Sequence, residues 1–121
     1  MALKHANAAE VVNLLFESEQ PGKTAAIVKT RHFETVRLVV NAGKEIPPHQ
    51  VEGPITLLCL SGRATLAIEN KEIELRPGQW TYLEGGVSHW VKGIDDAVLL
   101  LTIILQSRPQ RHQGVRKTVQ A

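Results

Sequence analysis

Between residues 32 and 105 the chain consists almost entirely of short strand-like segments, and in several of them apolar and polar residues alternate. The two-residue period is clearest in residues 36–40 and in residues 64–68. Because successive side chains of a β-strand point to opposite faces, this period predicts strands with one buried face. Glycine, proline, asparagine and aspartate separate the segments, so the sequence predicts eight or nine short strands in an all-β sandwich or barrel.

The residues at two turns predict where the chain reverses direction. Residues 63–69 and 72–76 alternate on either side of Asn70-Lys71, which predicts a β-hairpin that reverses at that pair. Pro77-Gly78 suits the two central positions of a type II turn, because glycine tolerates the positive φ that the second position requires.

The last apolar segment, AVLLLTIIL at residues 97–105, follows a turn predicted at Asp95-Asp96. Thr102 is its one polar residue, so the segment does not alternate. A strand of this kind is expected either to be buried on both faces or to form part of a subunit interface.

The N-terminal region differs from this pattern, because residues 7–17 place apolar side chains at helical spacing. Asn7 can cap such a helix and Glu10, three residues later, can complete a capping box, while Gln20-Pro21-Gly22 ends it. We therefore expect an N-terminal helix and lead-in over residues 1–23, a barrel domain over residues 24–107, and a basic tail over residues 108–121. The apolar positions of the predicted helix are Ala8, Val11, Val12, Leu15 and Phe16.

Composition narrows the class of protein. A chain of 121 residues is enough for one domain, and its single cysteine, Cys59, excludes an intrachain disulfide and is expected to be a buried thiol. The tail carries four basic residues and no acidic one, whereas the rest of the chain has ten basic and twelve acidic residues. Without interleaved aromatic residues, this tail is a weak signal for nucleic-acid binding.

No apolar stretch is long enough for a membrane helix or a secretion signal, so we expect a soluble, cytoplasmic protein.

Two groups of residues resemble the sequence motifs of the cupin family of small jelly-roll barrels. The first motif requires a glycine, then a histidine six positions later, and this chain has Gly43 and His49. Val51 occupies the position of a second histidine, Ile55 (or Thr56, if the spacing is longer) that of a glutamate, and Gly62 that of the closing glycine.

The second cupin motif is similar to residues 78–93. Gly78, Gly86 and His89 occupy its glycine and histidine positions, whereas Glu84 stands in place of a proline and Gly93 in place of an asparagine. The resemblance covers residues 24–105 and implies a cupin-type, RmlC-like jelly-roll β-barrel with a short N-terminal helix.

The resemblance also implies a metal site of three histidines and a glutamate, but only His49 and His89 match it, so the ligand set is incomplete. Val51 and Ile55 have no lone pair to donate. Glu52 would complete a set of two histidines and one carboxylate, yet strand alternation directs it away from His49. His5, His32 and His112 are expected at the surface.

Two functions are the leading hypotheses, ahead of a metal-free enzyme that uses a histidine as general base and a regulator that senses a ligand. In the first, an apolar cavity that contains His49 and His89 and is lined by Val51, Ile55 and Tyr82 binds a small molecule, with no tightly bound metal. In the second, the two histidines and further ligands hold iron, manganese, nickel, copper or zinc, and the protein is a dioxygenase, isomerase or decarboxylase. In the sequence Trp90 alternates with His89, so the two are not expected to share a pocket. A homodimer is expected for either function, because small jelly-roll domains have exposed sheet edges.

Overall fold

Nine β-strands in two antiparallel sheets make up the fold in the computed structural model, which describes residues 5–15, 23–49 and 51–105. The five-stranded sheet has the order β1-β2-β9-β4-β7, and the four-stranded sheet has the order β3-β8-β5-β6. The strands are β1 Ala25–Lys29, β2 Phe33–Val40, β3 Glu45–His49, β4 Ile55–Ser61, β5 Ala64–Ile68, β6 Lys71–Leu75, β7 Trp80–Leu83, β8 His89–Gly93 and β9 Ala97–Ile104. The all-β jelly-roll prediction is therefore confirmed.

The core combines the apolar faces of both sheets, and the two-residue period decides which side chains enter it. In β4, where residues 54–60 are largely apolar on both faces, every second residue is buried from Ile55 to Cys59, and the residues between them are half-buried. Cys59 is completely buried in this strand, and burial raises the pKa of its thiol above the ordinary value. The largest fully buried side chains are Leu57, Leu66, Leu99, Val40 and Cys59.

Both turns predicted between β5 and β7 are present, and one of them lies one residue away from its predicted position. The β5–β6 hairpin turns at Glu69-Asn70, one residue earlier than predicted, because Ile68 pairs with Lys71. At Pro77-Gly78 the Gln79 N–H donates to the Arg76 carbonyl over 2.9 Å, and Gly78 has a φ of 87°. These are the hydrogen bond and the positive φ of a type II turn.

The predicted N-terminal helix is wrong over residues 7–15, where the chain is irregular; residues 16 and 17 lie outside the described residues. The capping pair forms a single turn, in which the Asn7 N–H donates to Glu10 Oε1 and the Glu10 N–H donates to the Asn7 carbonyl. The chain cannot continue as a right-handed helix, because Ala9 has a φ of 71°. The Ala6 N–H instead donates to the Ile27 carbonyl of β1, so contact with the sheet replaces helix formation.

Several sequence-based expectations concern the surface and the ends of the chain. His5 and His32 are exposed as expected, whereas His112 and the basic tail lie outside the described residues. In the part of the chain that the structure describes, no helix is long and apolar enough to cross a membrane.

Candidate functional site

A β-bulge at the two consecutive prolines of β3 places His49 directly opposite His89 of β8. Ile46 lies opposite Val91, and His49 lies opposite His89. Between these two pairs β3 advances by three residues and β8 by only two, so β3 contains one extra residue. Proline cannot donate a hydrogen bond to a neighbouring strand, and the extra residue falls at Pro47-Pro48. Because one extra residue inverts the alternation, positions 46 and 49 come to the same face of the sheet.

His89 is a buried polar residue on the inner face of the four-stranded sheet, where its side chain is 3% exposed. It lies opposite Ile68 of β5, and Val91, two residues further along β8, is also buried. Its Nδ1 atom is 3.0 Å from the Val87 carbonyl oxygen. Since a carbonyl oxygen can only accept, Nδ1 carries a proton and donates it to this bond.

The two apolar residues at the expected ligand positions both contact the core. Ile55 is 2% exposed, and the half-buried Val51 packs against the same cluster. Val51 also lines a groove of about 310 Å³ together with Glu34, Glu52 and Ile103. Position 51 is therefore at the rim of the barrel, where core and surface meet.

The described residues do not supply a complete set of metal ligands. Glu52 is exposed in the bend between β3 and β4, next to the half-buried Val51. No cluster of three or more histidine, cysteine, aspartate or glutamate side chains suited to a metal occurs in the ranges described above. Two histidines without further protein ligands are a poor fit to the three or four ligands of protein zinc sites.

Tyr82 is not brought to the other predicted pocket residues. It lies opposite Thr56, whereas its neighbour Leu83 lies opposite Ile55 and is buried. Tyr82 is 53% exposed on the outer face of the five-stranded sheet, with its ring centroid 6.0 Å from that of Trp80. The burial of Leu83 and the register of β7 against β4 together fix which side chains of β7 face outward.

Sequence analysis did not predict two grooves on the outer face of the four-stranded sheet, which share Trp90. Their volumes are about 450 Å³ and 520 Å³, and Trp90 points away from the inner face that holds His89, as expected. The small residue Ala67 lies opposite Trp90 and is 1% exposed, and both residues line the groove of about 450 Å³.

Two sequence relatives are uncharacterized proteins of similar length. One, from Aquifex aeolicus, is 23% identical over 100 residues, covering 81% of this chain and 83% of the relative. The other, from Methanocaldococcus jannaschii, is 21% identical over 105 residues, covering 84% of this chain and 90% of the relative.

Solved structures give the same fold. The crystal structure of the Methanocaldococcus jannaschii protein, an RmlC-like cupin with a double-stranded β-helix fold, has a TM-score of 0.68 and 18% identity, covering 82% of this chain and 94% of that one. A conserved protein of unknown function from Streptococcus pyogenes has a TM-score of 0.72 and 19% identity, covering 89% and 97%. The family model for the cupin domain matches residues 36–104, which is more than half of the sequence. This chain therefore belongs to the cupin domain family.

Proposed function

We propose that this protein binds a small, mostly apolar molecule inside the barrel, where β3 and β8 pair at His49 and His89. The observation that carries the proposal is the buried imidazole of His89 on an otherwise aliphatic inner face. The hydrogen bond of His89 to the Val87 carbonyl offsets part of the cost of burying the imidazole. An imidazole differs from its aliphatic neighbours in carrying hydrogen-bonding groups, and we infer that it is there to recognise a polar group on a ligand.

The setting of His89 suggests the chemistry of that ligand. The hydrogen bond between Nδ1–H and the Val87 carbonyl fixes the imidazole on the inner face of the sheet. We expect the ligand to carry a small polar group, such as a hydroxyl, an amide or a carboxyl, on an apolar body. The apolar side chains of Val51 and Ile55 would contact the rest of the molecule.

Thermal denaturation with a panel of short carboxylic acids, monosaccharides and nucleosides tests this proposal. A compound present at about one hundred times its dissociation constant adds roughly 2.7 kcal/mol and raises the melting temperature by about 10 °C. We expect such a compound to stabilise the wild type and His32→Gln, which changes an exposed histidine, but not His89→Gln. Circular dichroism establishes that each variant is folded.

Two results would contradict small-molecule binding at this position. In the first, no compound of the panel stabilises the wild type, and native mass spectrometry of the purified protein finds no bound small molecule. In the second, a compound stabilises His89→Gln as much as it stabilises His32→Gln, which would place the binding site elsewhere.

A metal-dependent enzyme is the second candidate, and the hydrogen bond of His89 is the observation in its favour. A metal-ligating histidine commonly donates its other ring N–H to a carbonyl or carboxylate, as Nδ1 of His89 does to Val87. Elemental analysis of protein purified without an affinity tag distinguishes the two candidates. Close to one equivalent of iron, manganese, nickel, copper or zinc would support the enzyme, and less than about a tenth would argue against it.

A further inference from the structure

We infer that the outer face of the four-stranded sheet binds a neutral oligosaccharide at Trp90, outside the barrel. Two grooves of about 450 Å³ and 520 Å³ open on this face, and Trp90 borders both of them. Each volume lies within the roughly 300 to 1,000 Å³ that is usual for small-molecule sites. The inference is independent of the ligand proposed for the barrel interior, because His89, the preceding residue of β8, lies on the opposite face of the sheet.

Trp90 lies in the middle of this sheet and is held there by its neighbours. It is half-buried in β8, which lies between β3 and β5 in the strand order. Ala67 of β5 alternates with the core residue Leu66 and therefore faces outward, yet it is only 1% exposed. Trp90 lies opposite Ala67 on one side and Glu72 on the other, so side chains of this row cover it. The indole is therefore a fixed platform on the sheet.

The two grooves extend from Trp90 in opposite directions along β8. The groove of about 520 Å³ is lined by residues 86–88, which precede this strand, and by Glu69, which follows β5. The groove of about 450 Å³ extends the other way, to Lys92 and Ile94. A molecule that occupies both grooves must contact the indole between them, so the site favours an elongated ligand of at least two units.

The polar side chains of the two grooves supply both donors and acceptors of hydrogen bonds. Two carboxylates, one ammonium group and two hydroxyls line them, from Glu69, Glu72, Lys92, Thr65 and Ser88. Two negative charges and one positive charge give little net attraction for an ion of either sign. A ligand with many hydroxyls matches this mixture, because each hydroxyl both donates and accepts.

A flat aromatic ring beside hydrogen-bonding groups suits a pyranose sugar. A sugar ring whose hydroxyls are all equatorial has apolar C–H groups on both faces and polar groups around its edge. The indole of Trp90 can stack on such a face while the side chains in the grooves bind the hydroxyls. Glucose units joined by β-1,4 bonds keep this arrangement along an extended chain. The ligand class is therefore a β-1,4-linked glucan or a similar neutral oligosaccharide.

The other tryptophan of the chain provides an internal comparison. Trp80 is 57% exposed on the outer face of the five-stranded sheet, where the neighbouring strands β9, β4 and β7 contain no charged residue. Its ring lies near that of Tyr82, but these strands lack the carboxylates and the ammonium group found around Trp90. Because stacking there has no matching charged hydrogen-bond partners, Trp80 is not expected to bind the saccharide.

Isothermal titration calorimetry of the full chain with cellohexaose tests the inference. We expect the wild type to bind this glucan, and Trp90→Ala to weaken binding by about tenfold or more, because the aromatic contact is lost. Trp80→Ala is the matched control and is expected to bind as the wild type does. A β-1,4-linked galactohexaose, whose units carry an axial hydroxyl, is expected to bind more weakly than cellohexaose. Circular dichroism establishes that each variant is folded.

Tryptophan fluorescence provides a second measurement in variants that keep an aromatic ring at both positions. In Trp80→Phe, the emission of Trp90 is expected to move to shorter wavelength when cellohexaose replaces water at the indole. In Trp90→Phe, the emission of Trp80 is expected to stay unchanged. His89→Gln is expected to keep the response to cellohexaose, which separates this site from the one proposed inside the barrel.

A titration with tetralysine distinguishes a neutral ligand from a cationic one, since a cation could also stack on an indole beside carboxylates. Binding of cellohexaose is expected to be the same at low ionic strength and in about 0.5 M sodium chloride, because salt screens only interactions between charges. Tetralysine is expected to leave the emission of Trp90 unchanged.

Four outcomes would overturn the inference. Cellohexaose at millimolar concentration would give neither a heat of binding nor a change in the emission of Trp90. Alternatively, Trp80→Ala would weaken binding as much as Trp90→Ala. A salt-sensitive response to tetralysine that exceeds the response to cellohexaose would assign the face to a cationic ligand. Finally, loss of the cellohexaose response in His89→Gln would place the sugar inside the barrel.

Discussion

Individual buried residues show how the barrel accommodates groups that are not hydrocarbon. The thiol of Cys59 donates to the Gly62 carbonyl over 3.3 Å, and the imidazole of His89 is hydrogen-bonded to the Val87 carbonyl. In both cases the partner is a backbone carbonyl only two or three residues away. Local bonds of this kind remove part of the cost of burial and leave the long-range packing to the apolar side chains.

The exposed ion pair between Arg63 and Asp95 gives a prediction about pH. Arg63 Nε donates to Asp95 Oδ2 over 2.8 Å, and this hydrogen bond holds the pKa of Asp95 below its ordinary value of 3.8. A carboxyl whose pKa is lower in the folded state stabilises the fold above the unfolded-state pKa. That stabilisation is lost as the pH falls from near 3.8 through the lower folded-state pKa.

Urea denaturation at a series of pH values measures this contribution. Asp95→Asn is expected to be less stable than the wild type at neutral pH and to lose less stability on acidification. Because the pair is exposed, the difference is expected to be small and to shrink with added salt. Glu72→Gln is the control, since Glu72 is exposed and has no recorded ion pair among the described residues. Equal acid sensitivity of Asp95→Asn and the wild type would contradict the prediction.

At the scale of strands and turns, backbone conformation decides which glycines are required. Gly62, between β4 and β5, and Gly78, in the turn before β7, have φ values of 72° and 87°. They differ in their surroundings, because a Cβ on Gly62 would overlap the Asp96 carbonyl oxygen, whereas one on Gly78 would meet open space. A side chain at Gly78 would therefore cause backbone strain alone, whereas a side chain at Gly62 would cause both backbone strain and steric overlap.

We expect Gly78→Ala to cost about 1 to 2 kcal/mol, the typical penalty for an L-residue at positive φ. Gly62→Ala is expected to cost roughly 3 kcal/mol or more, because the loop at Asp96 must also move. Chemical denaturation of both variants measures the difference, with Gly78→Ala as the matched control. Equal losses in the two variants would show that the approach of Asp96 can be relieved without cost.

The β3–β8 pair illustrates how one irregularity changes a whole site. A regular β3 would place Ile46 and His49 on opposite faces, since they are three residues apart. The bulge at Pro47-Pro48 inverts the alternation between them, so that position 49 lies opposite His89. Two adjacent prolines in a strand are a recognisable signal for such a bulge, although its register depends on the partner strand.

At the scale of the whole molecule, the N-terminal segment is attached to the barrel by a few polar contacts. Ala6 is bonded to β1, and the Arg37 side chain of β2 reaches Leu14 and Lys23 with its guanidinium. Val11 is 97% exposed, so apolar packing contributes little at that position. Among the described residues, Arg37 consequently links this segment to the five-stranded sheet through its side chain.

Arg37→Met tests this role, since methionine retains an apolar stem but has no hydrogen-bond donor. We expect the amide hydrogens of residues 5–15 to exchange faster, with a stability loss of about 1.5 to 3 kcal/mol for the hydrogen bonds to a charged group. Hydrogen exchange followed by mass spectrometry measures the segment directly.

Arg63→Met is the control for this experiment, because it removes a surface cation whose recorded partners, Glu74 and Asp95, lie away from the N-terminal segment. Unchanged exchange of residues 5–15 in Arg37→Met would show that other contacts hold the segment in place.

Features that depend on residues close together in the sequence were predicted correctly more often than features that depend on contacts between distant residues. The type II turn at Pro77-Gly78 was predicted correctly because proline and glycine restrict the backbone locally. The N-terminal helix was predicted wrongly, since its spacing and capping pair are local signals and contact with β1 outweighed them. Tyr82 was placed in the pocket because only the phase of β7 against β4 assigns it to the outer face.

The sequence by itself determined the strands, most turns and the family, because side-chain alternation and turn chemistry act over a few residues. The tertiary structure alone decided that His49 lies opposite His89, that Arg37 holds the N-terminal segment, and that the uncharged strands β9, β4 and β7 are neighbours. The physical reason is that strand order and register depend on hydrogen bonds between residues far apart in the chain. No local pattern specifies these bonds until the two sheets pack together.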